Sequence, residues 1–135
     1  MSDYQYPFST ERSSLLNTET FRNLLGSAIE NSTNSIVILS AYLKKKGVDW
    51  LKKKIGNKNV KCTIVTRWNK GDLAQGSSDL ECYFIAKENG WTFKVLQDLH
   101  AKVMLVDNDV LFVGSPNLTG KGMSLVPVSN EELGI

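Results

Sequence analysis

Histidine is almost missing from this chain. Its 135 residues contain one, His100. Cysteine occurs twice, at Cys62 and Cys82, with no metal-like spacing between them. One imidazole cannot complete a usual zinc set, so no metal and no cofactor is expected. Cys62 lies in a strand-like run and Cys82 in a helix-like run, and both read as buried free thiols. Excess charge is scarce too. The formal net charge is +2, so any basic footprint for nucleic acid must be local. No apolar run approaches the roughly 18 residues that span a membrane. The polar start MSDYQYPFSTERSS has no signal-peptide core. These absences predict a soluble, intracellular protein of the cytoplasm, with no membrane insertion.

What is present describes a globular chain. It is 41% hydrophobic and 22% charged, and long enough to bury a core without disulfides. Residues 1–16 read as an irregular arm or short strand, and 17–135 as a single domain. The closing NEELGI looks like a strand cut off abruptly, which leaves open that the chain is a fragment.

The periodicity alternates between strand and helix. TETFRNLLGSAIENS, from Thr18, reads as a helix with Phe21, Leu24, Leu25, Ala28 and Ile29 as its apolar stripe. SIVILSAYL (35–43) is a strand so apolar that both faces are expected to be covered. A short helix follows over 47–56, ended by Gly56 and Asn57. A β-branched strand follows over 60–68. NKGDLAQGSS reads as a loop. Ser78 and Glu81 then read as a capping box opening a helix over 79–90. Strands over 91–97 and a hairpin over 100–115 complete the pattern. The expected fold class is α/β: a mixed, largely parallel sheet flanked by helices.

The hairpin LHAKVMLVDNDVLFVGSPN holds the chemistry. Along a strand, His100 and Lys102 share a face and Asp107 takes the other. With Asn108-Asp109 as a two-residue turn, Ser115 comes to lie across from Lys102, and Asn117 across from His100. That register gathers an imidazole, an ammonium, a hydroxyl and a carboxamide. Donors aimed at one point suit a phosphoryl group, and a histidine among them can attack phosphorus or move a proton.

The order H-x-K-x4-D-x6-G-S-x-N, filled by His100, Lys102, Asp107, Gly114, Ser115 and Asn117, resembles the signature of the phospholipase D superfamily. TIVTRWNKGDLAQGSSDLECY, NLTGKG and the N-x-E of Asn130 and Glu132 are similar to family features as well. The resemblance runs from about residue 20 to the end and implies a phospholipase D-like (endonuclease-like) fold. It implies catalysis without metal. One histidine forms a phosphohistidine, and a second protonates the leaving oxygen and then activates water or an alcohol. Lysine and asparagine hold the nonbridging oxygens. Carried over, His100 is nucleophile or acid/base, Lys102 and Asn117 are phosphate ligands, and Ser115 is an auxiliary ligand. Glu132 orients the histidine, with Glu131 the near alternative. Asp107 and Gly114 are structural.

A chain with one motif cannot supply both histidines, so the resemblance implies a homodimer with one shared site. Single-motif members of this size resemble nucleases more than lipid hydrolases. The expected function is therefore a metal-independent nuclease acting on DNA or RNA. The alternatives are a phospholipid or other phosphodiester hydrolase, and a nucleic-acid-binding module without turnover. Lys44–Lys46 and Lys52–Lys54 read as a solvated face. Otherwise they track a nucleic-acid backbone with Arg67 and Lys70. Trp68 reads as a half-buried strand-end residue, or else stacks on a base.

Overall fold

The structure, a computed structural model, describes residues 16–114, 118, 133 and 134. In chain order it contains β1 (Leu16–Asn17), α1 (Thr18–Glu30), β2 (Ser35–Ser40), α2 (Lys45–Ile55), β3 (Lys61–Thr66), α3 (Lys70–Ala74), α4 (Glu81–Glu88), β4 (Thr92–Val95), β5 (Lys102–Val106), β6 (Val110–Val113) and β7 (Leu133–Gly134). The central sheet has the order β4-β3-β2-β5-β6. β2, β3 and β4 are parallel, while β5 runs antiparallel to both β2 and β6. β1 and β7 form a separate short antiparallel ladder.

Strand alternation sorts the sheet into two unlike faces. Ile36, Ile38, Cys62, Ile64, Met104, Val106 and Phe112 share one face and are buried. Phe21, Leu25 and Ile29 of α1, Val48, Leu51 and Ile55 of α2, and Cys82 and Ala86 of α4 join them in one core. The opposite face carries Val37, Leu39, Val65, Val103 and Leu105, all only half-buried. The expectation that both faces of β2 are covered thus holds for one face among the described residues. Leu24, placed by periodicity on the apolar stripe of α1, is 46% exposed, because Phe21, Leu25 and Ile29 already fill the contact. Burial pushes both thiols, Cys62 and Cys82, up to about 12.

Local chemistry sets the helix ends. The Asn17 side chain accepts from the Thr20 N–H and opens α1. Lys58 closes it, donating its ammonium to the Ile29 and Glu30 carbonyls, both at 2.6 Å. Gly56, at φ +62°, ends α2. The loop expected over 69–78 contains α3, where Asn69 Oδ1 accepts from the Asp72 N–H at 2.8 Å. The capping box does not form. Ser78 is buried, and its hydroxyl accepts from the Leu43 N–H instead, so α4 begins at Glu81 without a side-chain cap.

The β5–β6 turn places Asp107 and Asn108 at positive φ, +57° and +60°, conformations these residue types tolerate. Val106 faces Val110 and Val103 faces Val113. That register differs by one residue from the expected one, because the left-handed pair is 107–108 and Asp109 is an extra turn residue. Gly114, not Ser115, comes opposite Lys102, and its N–H donates to the Lys102 carbonyl at 3.3 Å.

Asp107 ties the turn to the entry of β2. Its carboxylate accepts from the N–H groups of Thr33, Asn34 and Ser35 at 2.9–3.1 Å. Burial pushes its pKa up, but these donors outweigh it and hold the carboxyl below the usual range. A carboxylate held low contributes stability above its unfolded pKa, about 3.9, and loses it as pH falls through the folded value. Asp107→Asn should therefore cost about 1–2 kcal/mol at pH 7. Urea unfolding at pH 7 and at pH 3 should show the gap between variant and wild type closing in acid.

Candidate active site

β2, β3 and β4 end at Ser40, Thr66 and Val95, and β5 begins at Lys102, so all four meet at one end of the sheet. The carboxyl ends of parallel strands are where open α/β sheets hold ligands, because the chain leaves the ladder there and exposes loops.

A short turn delivers His100 to this end. The Leu96 N–H donates to the Thr66 carbonyl at 2.9 Å, and the Leu99 N–H to the Leu96 carbonyl at 3.0 Å. Leu99 is buried and anchors the turn, while His100 beside it is exposed. No carboxylate bonds to His100 among the described residues. Lys102 is half-buried and pairs in register with Ser40. It lies on the sheet face that carries Met104 and Val106, as alternation predicts. Ser115, Asn117, Glu131 and Glu132 lie outside the described residues. Gly114 and Leu118 on either side of 115–117 are within them. Leu118 is fully buried, its N–H donates to Ser40 Oγ at 2.9 Å, and its carbonyl accepts from the Lys44 N–H at 3.2 Å.

Arg67, Trp68 and Lys70 follow β3 at the same end, and their environments differ. Arg67 forks onto Asp72, with Nε to Oδ2 and Nη2 to Oδ1 both at 2.9 Å. Nη2 also donates to the Tyr42 hydroxyl at 2.8 Å, and the guanidinium lies 4.8 Å from the Tyr42 ring centre. The fork holds the Asp72 carboxyl below its usual range against the opposing effect of burial. Arg67 thus braces the β3–α3 loop. Trp68 is half-buried, stacked on Tyr83 at 6.0 Å and edge-on to Phe93 at 5.1 Å. Its φ is +47°, rare for a bulky residue, and its indole N–H is buried without a hydrogen-bond partner among the described residues. Lys70 is exposed at the start of α3, with no ion pair among the described residues.

The lysine runs divide along α2. This helix leaves the site end and returns toward the start of β3, so Lys45 and Lys46 sit near the site and Lys52–Lys54 far from it. Lys45, Lys46, Lys52 and Lys53 are exposed, with Lys45 paired to Asp49 at 2.7 Å, whereas Lys44 and Lys54 are half-buried and paired to Asp79 at 3.0 Å and Glu30 at 3.7 Å, so the solvated face takes in only part of the two runs. Among the described residues, no three His, Cys, Asp or Glu gather to hold a metal ion, and no helix is long and apolar enough to cross a membrane.

Sequence reasoning missed Ser40, Tyr42 and Asp72. The available signal for Ser40 was a hydroxyl directly after the apolar run Ile36–Leu39. Nothing in the spacing announced the Arg67–Asp72 fork, since Asp72 lies five positions further on, inside an apparent loop.

Comparison with known proteins places this geometry. No individually curated protein sequence matches the chain. Among solved structures, the chain is similar to Nuc from Salmonella typhimurium, a phospholipase D family member, at TM-score 0.64 and 22% identity, over 90% of this chain and 82% of that one. It is similar to NucT from Helicobacter pylori at TM-score 0.63 and 17% identity, with the same coverage of 90% and 82%. It also shares its fold with TrmBL2, an archaeal chromatin protein, at TM-score 0.53 and 15% identity, covering 95% of this chain and 48% of that one. The family model described as "Cardiolipin synthase, PLD-like domain" matches residues 25–135. That span takes in the C-terminal part of α1, every element after it and the whole of the His100–Asn117 motif, and the chain belongs to the PLD-like domain family.

Proposed function

We propose that this chain is a metal-independent phosphodiesterase, a nuclease cleaving DNA or RNA at a site completed by a second copy of itself. One observation carries the reading. Lys102 opens β5 at the carboxyl end of the parallel strands, His100 lies two residues before it, and Gly114, the first residue of Gly-Ser-Pro-Asn, is bonded to Lys102. His100, Lys102 and Gly114 thus lie at the same end of the sheet, which supports a shared role for the motif.

The reaction follows from these groups. The His100 imidazole attacks phosphorus and expels the leaving alkoxide, which takes a proton from the His100 of the second copy. Water then attacks the phosphohistidine and gives its proton to that same imidazole. This frees the first His100 and releases a phosphomonoester. Lys102, with Asn117 and Ser115, holds the nonbridging oxygens, and Glu132 orients the imidazole. Lys70, exposed at the same end, contacts a flanking phosphate. Arg67 and Trp68 shape the loop that carries it.

The test is cleavage of plasmid DNA and of RNA in excess EDTA, with anionic phospholipid vesicles as a third substrate. Nucleic acid should be cut and lipid left intact. At constant total protein, a re-equilibrated equal mixture of wild type and His100→Ala should show about one quarter of the wild-type rate, because only wild-type pairs own two histidines. A metal requirement overturns the mechanism. A rate linear in the wild-type fraction overturns the shared site.

A further inference from the structure

Ser40 belongs to no part of the motif, yet it sits at the site's centre. It ends the central strand β2, is fully buried and faces Lys102 in register. Its hydroxyl donates to the Tyr42 carbonyl at 2.6 Å and accepts from the Leu118 N–H at 2.9 Å. One hydroxyl therefore joins β2, the loop that follows it and the residue after Asn117.

Other bonds make this a hub. Leu43 forms a parallel bridge with Leu118, and the Lys44 N–H donates to the Leu118 carbonyl at 3.2 Å. The Leu43 N–H donates to Ser78 Oγ, and the Leu43 carbonyl accepts from the Asp79 N–H at 2.8 Å. Tyr42 receives Arg67, which holds Asp72. The loop 41–44 thus carries the β3–α3 segment on one side and Leu118 on the other. The two residues that flank 115–117 in sequence are both held, Gly114 on Lys102 and Leu118 on Ser40. Among the described residues, the bond from Ser40 is the one side-chain bond to Leu118, so a substitution can remove it and spare the backbone bonds.

We infer that Ser40 is a positioning residue for the phosphate ligands Asn117 and Ser115, holding Leu118 so that the carboxamide meets the same oxygens as Lys102. This rests on the phosphodiesterase reading. Loss of the hydroxyl leaves every reacting group in the chain and lets the segment drift. A shift of about 1 Å at a transition-state ligand costs up to about 100-fold in rate.

The experiment compares Ser40→Ala with Ser32→Ala. Ser32 is equally buried, and its hydroxyl donates to the Ile29 carbonyl, but it lies at the opposite end of β2. One readout is hydrolysis of bis(p-nitrophenyl) phosphate. The other is the NMR response of the Asn117 side-chain amide to inorganic phosphate. Ser40→Ala should lose about 10- to 100-fold in kcat, with KM within about threefold, and its Asn117 response should shrink. Ser32→Ala should keep both. Equal kcat in the two variants, or an intact Asn117 response in Ser40→Ala, overturns the inference. If wild type responds to phosphate but hydrolyses no diester, the phosphodiesterase reading falls and the phosphate response alone decides the role of Ser40. If it does neither, both fall. Ser40→Cys, a weaker acceptor of similar size, is read the same way if the alanine variant does not fold. Failure of both to fold makes Ser40 a folding residue and overturns the positioning role.

Discussion

His100→Ala should reduce cleavage in EDTA by about 10⁴-fold or more, to the level of background. The size follows from the arithmetic of a shared site. A general acid or base contributes about 10²–10⁴-fold, and a nucleophile that splits the reaction adds a further factor. In a homodimer a single substitution removes both at once, because each copy supplies one role. On the proposed mechanism, Lys102→Ala removes a charge that steadies the transition state but leaves the nucleophile, so a loss of about 10²–10³-fold is expected. Lys102→Arg should recover little of it, since a planar fork does not replace a compact point charge beside the buried Ser40. The check is single-turnover cleavage by purified variants with unchanged melting curves. An acid-labile, base-stable phosphate on wild type, absent from His100→Ala, would identify the nucleophile. Residual cleavage within tenfold of wild type would remove His100 from the chemistry.

Ile38→Ala should be the most damaging of the stability variants, at about 3–4 kcal/mol. Ile38 is fully buried at the centre of β2, between Ile64 and Met104 in register. Shortening it loses three carbons of apolar surface and opens a cavity between strands that cannot close without breaking two ladders. Leu39, the next residue, points to the other face and is half-buried between Val65 and Val103. Leu39→Ala should cost about 1 kcal/mol in the isolated chain. Urea denaturation of both gives a direct reading of how one-sided the core is. Equal losses would mean that the second face is as well packed as the first. For a domain whose whole stability is about 5–15 kcal/mol, the Ile38 variant should unfold at markedly lower urea.

Strands were legible in the sequence because their β-branched runs are short and bounded by Gly, Asn and Lys. The helices were legible from their apolar period. What failed were choices between two local options of similar energy. Ser78 could cap α4 or reach Leu43, and the tertiary partner won. Asn69 could start a loop or a helix, and its own side chain bonding the Asp72 N–H decided for α3. The hairpin could turn on Asp107-Asn108 or on Asn108-Asp109. The three N–H donors that Asp107 finds in the loop before β2 are 72–74 residues away in sequence and invisible from the turn itself. The motif was legible in the spacing, and of its residues the structure places His100, Lys102 and Gly114 at one end of the sheet. Ser40 and the Arg67–Asp72 fork were not legible, since nothing in local spacing encodes which loops meet.

The three-letter pattern His-Lys-Asp divides along its own strand. Lys102 begins β5 and Asp107 follows its end, which puts them roughly 17 Å apart at opposite ends of the sheet. On the proposed function two letters mark chemistry, whereas the third marks a clasp. They can therefore drift independently over evolutionary time. A descendant that loses the histidine and lysine but keeps the aspartate would retain the architecture as an inert scaffold, free to be recruited for binding. One that loses only the aspartate would remain a working catalyst of lower durability. Counting matched letters treats these two fates as equal, whereas the position of each letter along β5 tells them apart.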